Sequence, residues 1–416
     1  MIDATLIRLR ADVPVGAYLS GGLDSSTTAA IIQQYTQNSL DTFSIAFSDP
    51  DFDESEFQRR MAAILGTTHQ VVYCTQEDIG AVFPDVIWHT ETPMLRTAPA
   101  PMFLLSRLVH EHDLKVVITG EGADEFLGGY DIFKEMVIRR FWAKNPDSAW
   151  RPLLLKRLYP EISRLGANEA FIKNFFKKDL SETDMPFYSH LLRWSNGARL
   201  RRLLQYQSTF TTSEIVNELN SIPHQFNQWS PLAKAQYLEI TTFLSPYLLC
   251  SQGDRVAMAN SVEGRFPFLD YRVVEFCNHL PSQLKLRGLN EKWLLRQFAK
   301  KLLPPDIWQR RKRPYRAPIH QCFFHNRTPD YVTELLSESA LEATGLFNSL
   351  AVTQLVRKAQ SEMALSEVDE MAIAGVLSAQ LTHHQFVKNF DARISTLTSA
   401  NRVKVINGFV KEELAV

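Results

Sequence analysis

Two glycine-bearing clusters hold most of the residues in this sequence that could do chemistry. The first is Ser20-Gly21-Gly22-Leu23-Asp24-Ser25-Ser26, behind an apolar run and ahead of a helical period. Paired glycines let a backbone come close to an anion, and a helix starting behind them offers free N–H groups and a partial positive charge. Phosphate is the natural guest, although the loop has neither the Gly-Lys-Ser/Thr ending of a Walker loop nor a GxGxxG fingerprint. The plain structural alternative is a tight strand-to-helix turn capped by Asp24 and Ser25. The second cluster, Thr119-Gly120-Glu121-Gly122-Ala123-Asp124-Glu125-Phe126-Leu127-Gly128-Gly129-Tyr130, carries three carboxylates with no basic residue adjacent in sequence. So much negative charge beside a phosphate repels a nucleotide unless a divalent cation intervenes, and Mg2+ takes carboxylate oxygens while bridging phosphates. Asp24 and Asp124 are the expected metal ligands.

Both clusters must be brought to one crevice, and the pattern around them supplies the means. Strands are expected at Val13–Leu19, Thr42–Phe47, His69–Tyr73 and Lys115–Thr119, with helices at Ser25–Tyr35, Glu54–Leu65 and Pro101–His112. Strands alternating with helices predict an α/β fold with a parallel twisted sheet and flanking helices over residues 1–130. Ligands of such sheets collect at the carboxyl ends of the strands, where both clusters fall. Beyond about Asp131 the spacing of apolar residues turns helical, so 131–390 is expected to be mainly helical and packed with the first part as one body. Residues 391–416 form a more polar tail.

Composition narrows the classes. The 416 residues carry 45 Lys and Arg against 46 Asp and Glu, so no global field favours nucleic acid or an anionic membrane. No apolar run approaches the roughly 18 residues of a membrane span, and the start lacks a signal-peptide pattern, which predicts a cytoplasmic protein. Cys74, Cys250, Cys277 and Cys322 stand far apart, as buried thiols in a reducing compartment do. The run Arg310-Arg311-Lys312-Arg313-Pro314-Tyr315-Arg316 is too short and isolated to be read as a nucleic-acid patch. His383-His384 reads as a partly buried helix pair, since no third metal ligand is near in sequence.

At its two loops the chain resembles the asparagine synthetase family, within the larger group of ATP pyrophosphatases that share an SGGxDS loop. The resemblance continues through Asp254-Arg255-Val256-Ala257-Met258-Ala259, Ser261-Val262-Glu263-Gly264-Arg265-Phe266-Pro267-Phe268-Leu269-Asp270 and Glu291-Lys292-Trp293-Leu294-Leu295-Arg296. It implies an adenine nucleotide alpha hydrolase-like fold with ATP and Mg2+ as cofactors. Ser20, Gly21, Gly22, Asp24, Ser25 and Ser26 would hold the pyrophosphate portion of ATP; Ile45 and Gly120 would line the adenosine pocket, with Leu19 and Thr119 beside them. Asp24 and Asp124 would bind Mg2+. Glu121 matches the position proposed to deprotonate ammonia, a role suited to a carboxylate among carboxylates, whose proton affinity is raised. Lys292 matches a lysine thought to touch the phosphates; without the resemblance it reads as a solvated helix lysine. Arg96 matches an arginine near the acyl-acceptor site, and Glu125, Asp254 and Arg255 are candidates for orienting substrate. The basic run at 310–316 would be a mobile flap over pyrophosphate.

The implied reaction joins a carboxylate, aspartate first among candidates, to ammonia through an acyl-adenylate. A relative that amidates or cyclises another metabolite, as β-lactam synthetases do, and a silent binding subunit are the alternatives. The family's N-terminal glutaminase, with its terminal cysteine nucleophile, has no counterpart ahead of Ser20. Ammonia is therefore expected from solution, from a separate glutaminase subunit, or from a domain outside this sequence; a homodimer is left open. A second departure is Ser251-Gln252-Gly253 before Asp254, where some family members carry a lysine.

Overall fold

The computed structural model describes residues 1–36, 39–158, 169–206, 222–324, 327–361 and 365–390. Strands β1 (Val15–Tyr18), β2 (Asp41–Phe47), β3 (Thr68–Cys74), β4 (Val116–Ile118) and β5 (Glu263–Arg265) form one sheet. Their order is β3-β2-β1-β4-β5 and every pairing is parallel. In β2, six of seven residues are buried, as a strand covered on both faces requires. The four expected strands form within two residues of their expected ends. The fifth, Glu-Gly-Arg, has no strand signature of its own and pairs Val116 with Glu263 and Ile118 with Arg265.

Helices α1 (Ile2–Ile7), α2 (Leu23–Tyr35), α3 (Ser55–Leu65), α4 (Gln76–Thr90), α5 (Pro99–Glu111), α6 (Ala123–Leu127) and α7 (Asp131–Ala143) cover the sheet and its ends. Local chemistry sets several boundaries. Gly66, at φ 64°, closes α3 in the left-handed conformation, and a reciprocal box between Thr75 and Asp78 opens α4. One core, with Phe43, Phe83, Phe103 and Val117, lies on one sheet face and extends to Ile373 and Leu377 of the helix Glu367–His383. The other, with Ala17, Ile32, Met61 and Ile118, reaches Phe268 and Leu295. Neighbouring residues of β4 thus point into different cores, which is the period-two rule at work.

After α7 the described chain is helical apart from β5, as expected, and includes an unforeseen π-helical run, Ile240–Asp254, continued by the helix Arg255–Met258. His383 and His384 are half-buried on a helix and its π-helical continuation. All four cysteines are free thiols, three buried and Cys250 half-buried. No helix among the described residues is long and apolar enough to cross a membrane. The expected tail at 391–416 lies outside the described residues.

Candidate active site

The strand order reverses between β1 and β4, and both glycine-bearing clusters leave the sheet at that point. Ala17 pairs with Ile118, so the chains emerging beyond them run side by side. They touch: a Cβ on Gly120 would lie 3.0 Å from Asp24 Cβ and 3.1 Å from the Ser25 nitrogen. Gly21 has φ 68° and packs so tightly on Phe57 that a Cβ would lie 2.7 Å from its carbonyl carbon. Gly22 is the N-cap of α2 and supplies no side chain, so the capping alternative for Asp24 and Ser25 is not realised. Instead Ser25 Oγ lies 2.8 Å from Ser20 Oγ and accepts a hydrogen bond from the Ser20 nitrogen. Ser26 Oγ is buried without a partner. The result is a helix N-terminus with free N–H groups facing the crevice, a site suited to an anion.

Beside it lies a compact cluster of charge. Lys292 Nζ stands 2.5 Å from Asp24 Oδ2 and 2.6 Å from Asp124 Oδ1, while Lys312 Nζ is 2.8 Å from Asp124 Oδ2. Lys292 is 1% exposed, not solvated, and sits at φ 52° as the N-cap of the helix Trp293–Ala299. Gly129 makes room for it, since a Cβ there would fall 2.0 Å from Asp124 Oδ1 and 2.3 Å from Lys292 Cε. The absence of basic neighbours, true along the chain, is thus reversed in space by two lysines from far downstream. The basic run that holds Lys312 is expected over pyrophosphate, but the sequence does not single out Lys312 within it as the residue that reaches Asp124.

The carboxyls respond differently to this setting. Burial opposes ionisation of Asp124, but Lys292 and Lys312 win and hold its pKa at about 2. Glu121 is pushed up to about 7, first by burial, with Asp124 and Asp24 acting in the same sense against Lys312 and Lys292. The expectation of raised proton affinity holds, with burial as the larger cause. Glu125, 1% exposed, rises to about 8 through burial and Asp124, although Tyr130 Oη donates to its Oε1 at 2.7 Å.

Could this cluster hold Mg2+? Asp24 Oδ1 is buried without a hydrogen-bond partner, while the two oxygens of Asp124 face the ammonium groups of Lys292 and Lys312. Hard oxygens of this kind suit a divalent cation. Among the described residues no group of three metal-binding side chains converges, so further ligands would be phosphate oxygens and water, which is the habit of Mg2+.

The basic run lies across the first loop as an irregular strap. Arg310 places its guanidinium 3.7 Å over the Phe57 ring, donates to the Gly21 carbonyl at 3.3 Å and pairs with Glu54. Arg313 donates to the carbonyls of Asp51 and Asp53, and Tyr315 Oη to that of Ala98. From beneath, Arg296 donates to the carbonyls of Trp308 and Arg310 at 2.7 and 2.9 Å. Glu291, paired with Arg296 and with Lys134 at 2.9 Å, accepts from the Lys312 nitrogen at 3.1 Å.

Other expected residues fall at varying distance from this centre. The Leu19 nitrogen donates to Phe43 O and the Thr119 nitrogen to Arg265 O, which ties both loops into the sheet. Ile45 is buried in β2, with its carbonyl taken by Gln58 Nε2 at 2.8 Å. Asp254 shares a small pocket with Glu121. Arg96 is paired with Glu367 at 3.0 Å and Arg255 with Glu91 at 2.5 Å, both on the surface and neither joined to the lysine–carboxylate cluster.

Comparison with known proteins gives a consistent picture. A family model described as asparagine synthase matches residues 1–384. The chain is 30% identical over 394 residues to amidase chyE of Penicillium rubens, covering 86% of this chain and 57% of that one. It is 31% identical over 349 residues to amidase chry2 of Gibberella zeae, covering 76% and 51%. To asparagine synthetase [glutamine-hydrolyzing] 1 of Bacillus subtilis it is 26% identical over 341 residues, covering 82% and 52%. It spans about half the length of these relatives. With the family model spanning both loops, the lysine-bearing helix and the strap, the chain belongs to the asparagine synthase family.

Proposed function

We propose that this chain forms amides in an ATP-dependent reaction that passes through an acyl-adenylate. The observation that carries the reading is the contact of two glycine-bearing turns at the sheet's reversal point, with Asp24, Asp124 and Glu121 facing Lys292 and Lys312. The N-terminus of α2 receives phosphate, and the two ammonium groups meet its negative charge. Asp24 and Asp124 would hold Mg2+, which when bound neutralises charge on the leaving pyrophosphate.

A carboxylate oxygen attacks the α-phosphorus of ATP; the bond to the β-phosphate oxygen breaks and pyrophosphate leaves. Ammonia then attacks the acyl carbon, the bond to AMP oxygen breaks, and the surplus proton passes to Glu121. A carboxyl titrating near 7 is suited to take that proton at neutral pH. The strap limits access of water, which would otherwise hydrolyse the mixed anhydride.

The acid is aspartate if the chain acts as the asparagine synthetases among its relatives are named to do. Another carboxylate is favoured by the relatives named amidases, which reach 30–31% identity. Ammonia arrives free or from a glutaminase activity. ATP–pyrophosphate exchange tests the first step: it should require a carboxylic acid and be lost in Asp124→Asn. Exchange unchanged in that variant contradicts the assignment, and a non-catalytic subunit shows none with any acid.

A further inference from the structure

Glu121 borders two spaces. On one side are Lys312, Asp124, Asp24 and Lys292, which all act on its charge. On the other is a pocket between the ends of β1, β4 and β5 and the π-helical run. If Glu121 receives the proton of the attacking ammonia, the acyl carbon lies at this border and the rest of the acid occupies the pocket. The chemistry of the lining therefore selects the acid.

Met102, Val117, Leu248, Val256 and Phe266 give that lining an apolar character. Its polar groups are Tyr18, whose hydroxyl is buried without a partner, Thr119 and Gln252. Its charged groups are Glu121 and Asp254, both acidic. No lysine, arginine or histidine among the described residues lines it. The nearby cations are committed elsewhere, Arg255 to Glu91, Arg96 to Glu367 and Lys312 to Asp124. A second carboxylate carried into this space would lie between Glu121 on the inner side and the exposed Asp254, with no counter-ion in the lining, which is unfavourable. An uncharged apolar or aromatic body would meet hydrocarbon, with the Tyr18 hydroxyl and the Gln252 amide for one or two hydrogen bonds.

Resting on the acyl-adenylate reading, we infer that the acid activated here is a monocarboxylic acid with an apolar or aromatic body, and not aspartate. Tyr18 and Gln252 are its specificity-determining contacts. The pocket encloses about 30 Å3 in this structure, room for one water, so the acid enters by displacing side chains. Met102, unbranched, is the one that yields most readily.

The test measures AMP released from ATP, Mg2+ and ammonium with aspartate, benzoate or 3-phenylpropanoate in turn. At least one aromatic acid should exceed aspartate by about tenfold or more, the scale on which apolar pockets discriminate. Gln252→Lys, which brings a cation into the lining, should narrow or invert that ratio. Aspartate matching or exceeding both aromatic acids overturns the inference. Calorimetry on the nucleotide-free protein separates this claim from the reaction itself and does not depend on the variant folding. Binding of 3-phenylpropanoate without binding of aspartate upholds the pocket assignment even where no AMP forms, and absence of both binding and turnover with the aromatic acids overturns it.

Discussion

Lys292 places an ammonium between Asp24 and Asp124 in a setting that excludes water, so neither aspartate can lose it cheaply. Removing one partner of a buried ion pair leaves uncompensated charge, which costs about 3–5 kcal/mol. Lys292→Met is expected to lose that much in urea unfolding and to abolish ATP–pyrophosphate exchange; a stable, active variant would remove the cluster from the mechanism. Glu121 carries a different signature. Its folded pKa of about 7 lies above the ordinary 4.5, so the native state favours the protonated form. Stability from this group is greatest below about pH 4.5 and falls as pH rises towards 7. Glu121→Gln removes that penalty and should raise the urea midpoint relative to wild type more at pH 8 than at pH 5. The same variant should slow amide formation far more than adenylation, whereas equal loss of both steps would exclude Glu121 as the base.

At the level of elements, the site depends on two turns that touch and a strap that is tied down. Gly120→Ala must push a Cβ against Asp24 and Ser25 and so part the turns. Nucleotide binding, read by calorimetry, should fall at least about tenfold while the fold survives, since a shift at the contact displaces catalytic groups without emptying a core. Glu291 ties the strap to the body through Arg296 and the Lys312 nitrogen, and its pKa is held at about 2, where Lys134 and Arg296 outweigh burial. Its contribution to stability is therefore present above about pH 4.5 and is lost as pH falls towards 2. Glu291→Gln should speed tryptic cleavage after Arg310, Arg311 or Lys312; unchanged protection would mean the strap is held by other contacts. The two glycine turns were legible because their residues are contiguous and each follows a strand with its own apolar pattern. β5 was not, because Glu263, Gly264 and Arg265 join the sheet through backbone alone, and the partners of a parallel strand lie far away in sequence. The run 310–316 was legible as a segment near the phosphates, but not that Lys312 is the member that reaches Asp124, because a basic run looks the same whether solvent or a buried aspartate receives one of its members.

Across the whole molecule, the sheet's reversal between β1 and β4 brings residues from positions 20 to 312 into one crevice, with separate cores on the two faces holding its walls. The α/β half could be read from strand and helix periods. The helical half could be recognised only in kind, because what positions its functional side chains is packing, as in the burial of Lys292 beneath Gly129 and the diversion of Arg96 and Arg255 to surface partners. The central claim is that this crevice transfers AMP to a carboxylate, and an acid labelled with oxygen-18 in its carboxyl group tests it most directly. After turnover with ATP and ammonium, mass spectrometry should find one labelled oxygen in AMP and none in pyrophosphate. Label in inorganic phosphate, with ADP as the nucleotide product, would contradict it.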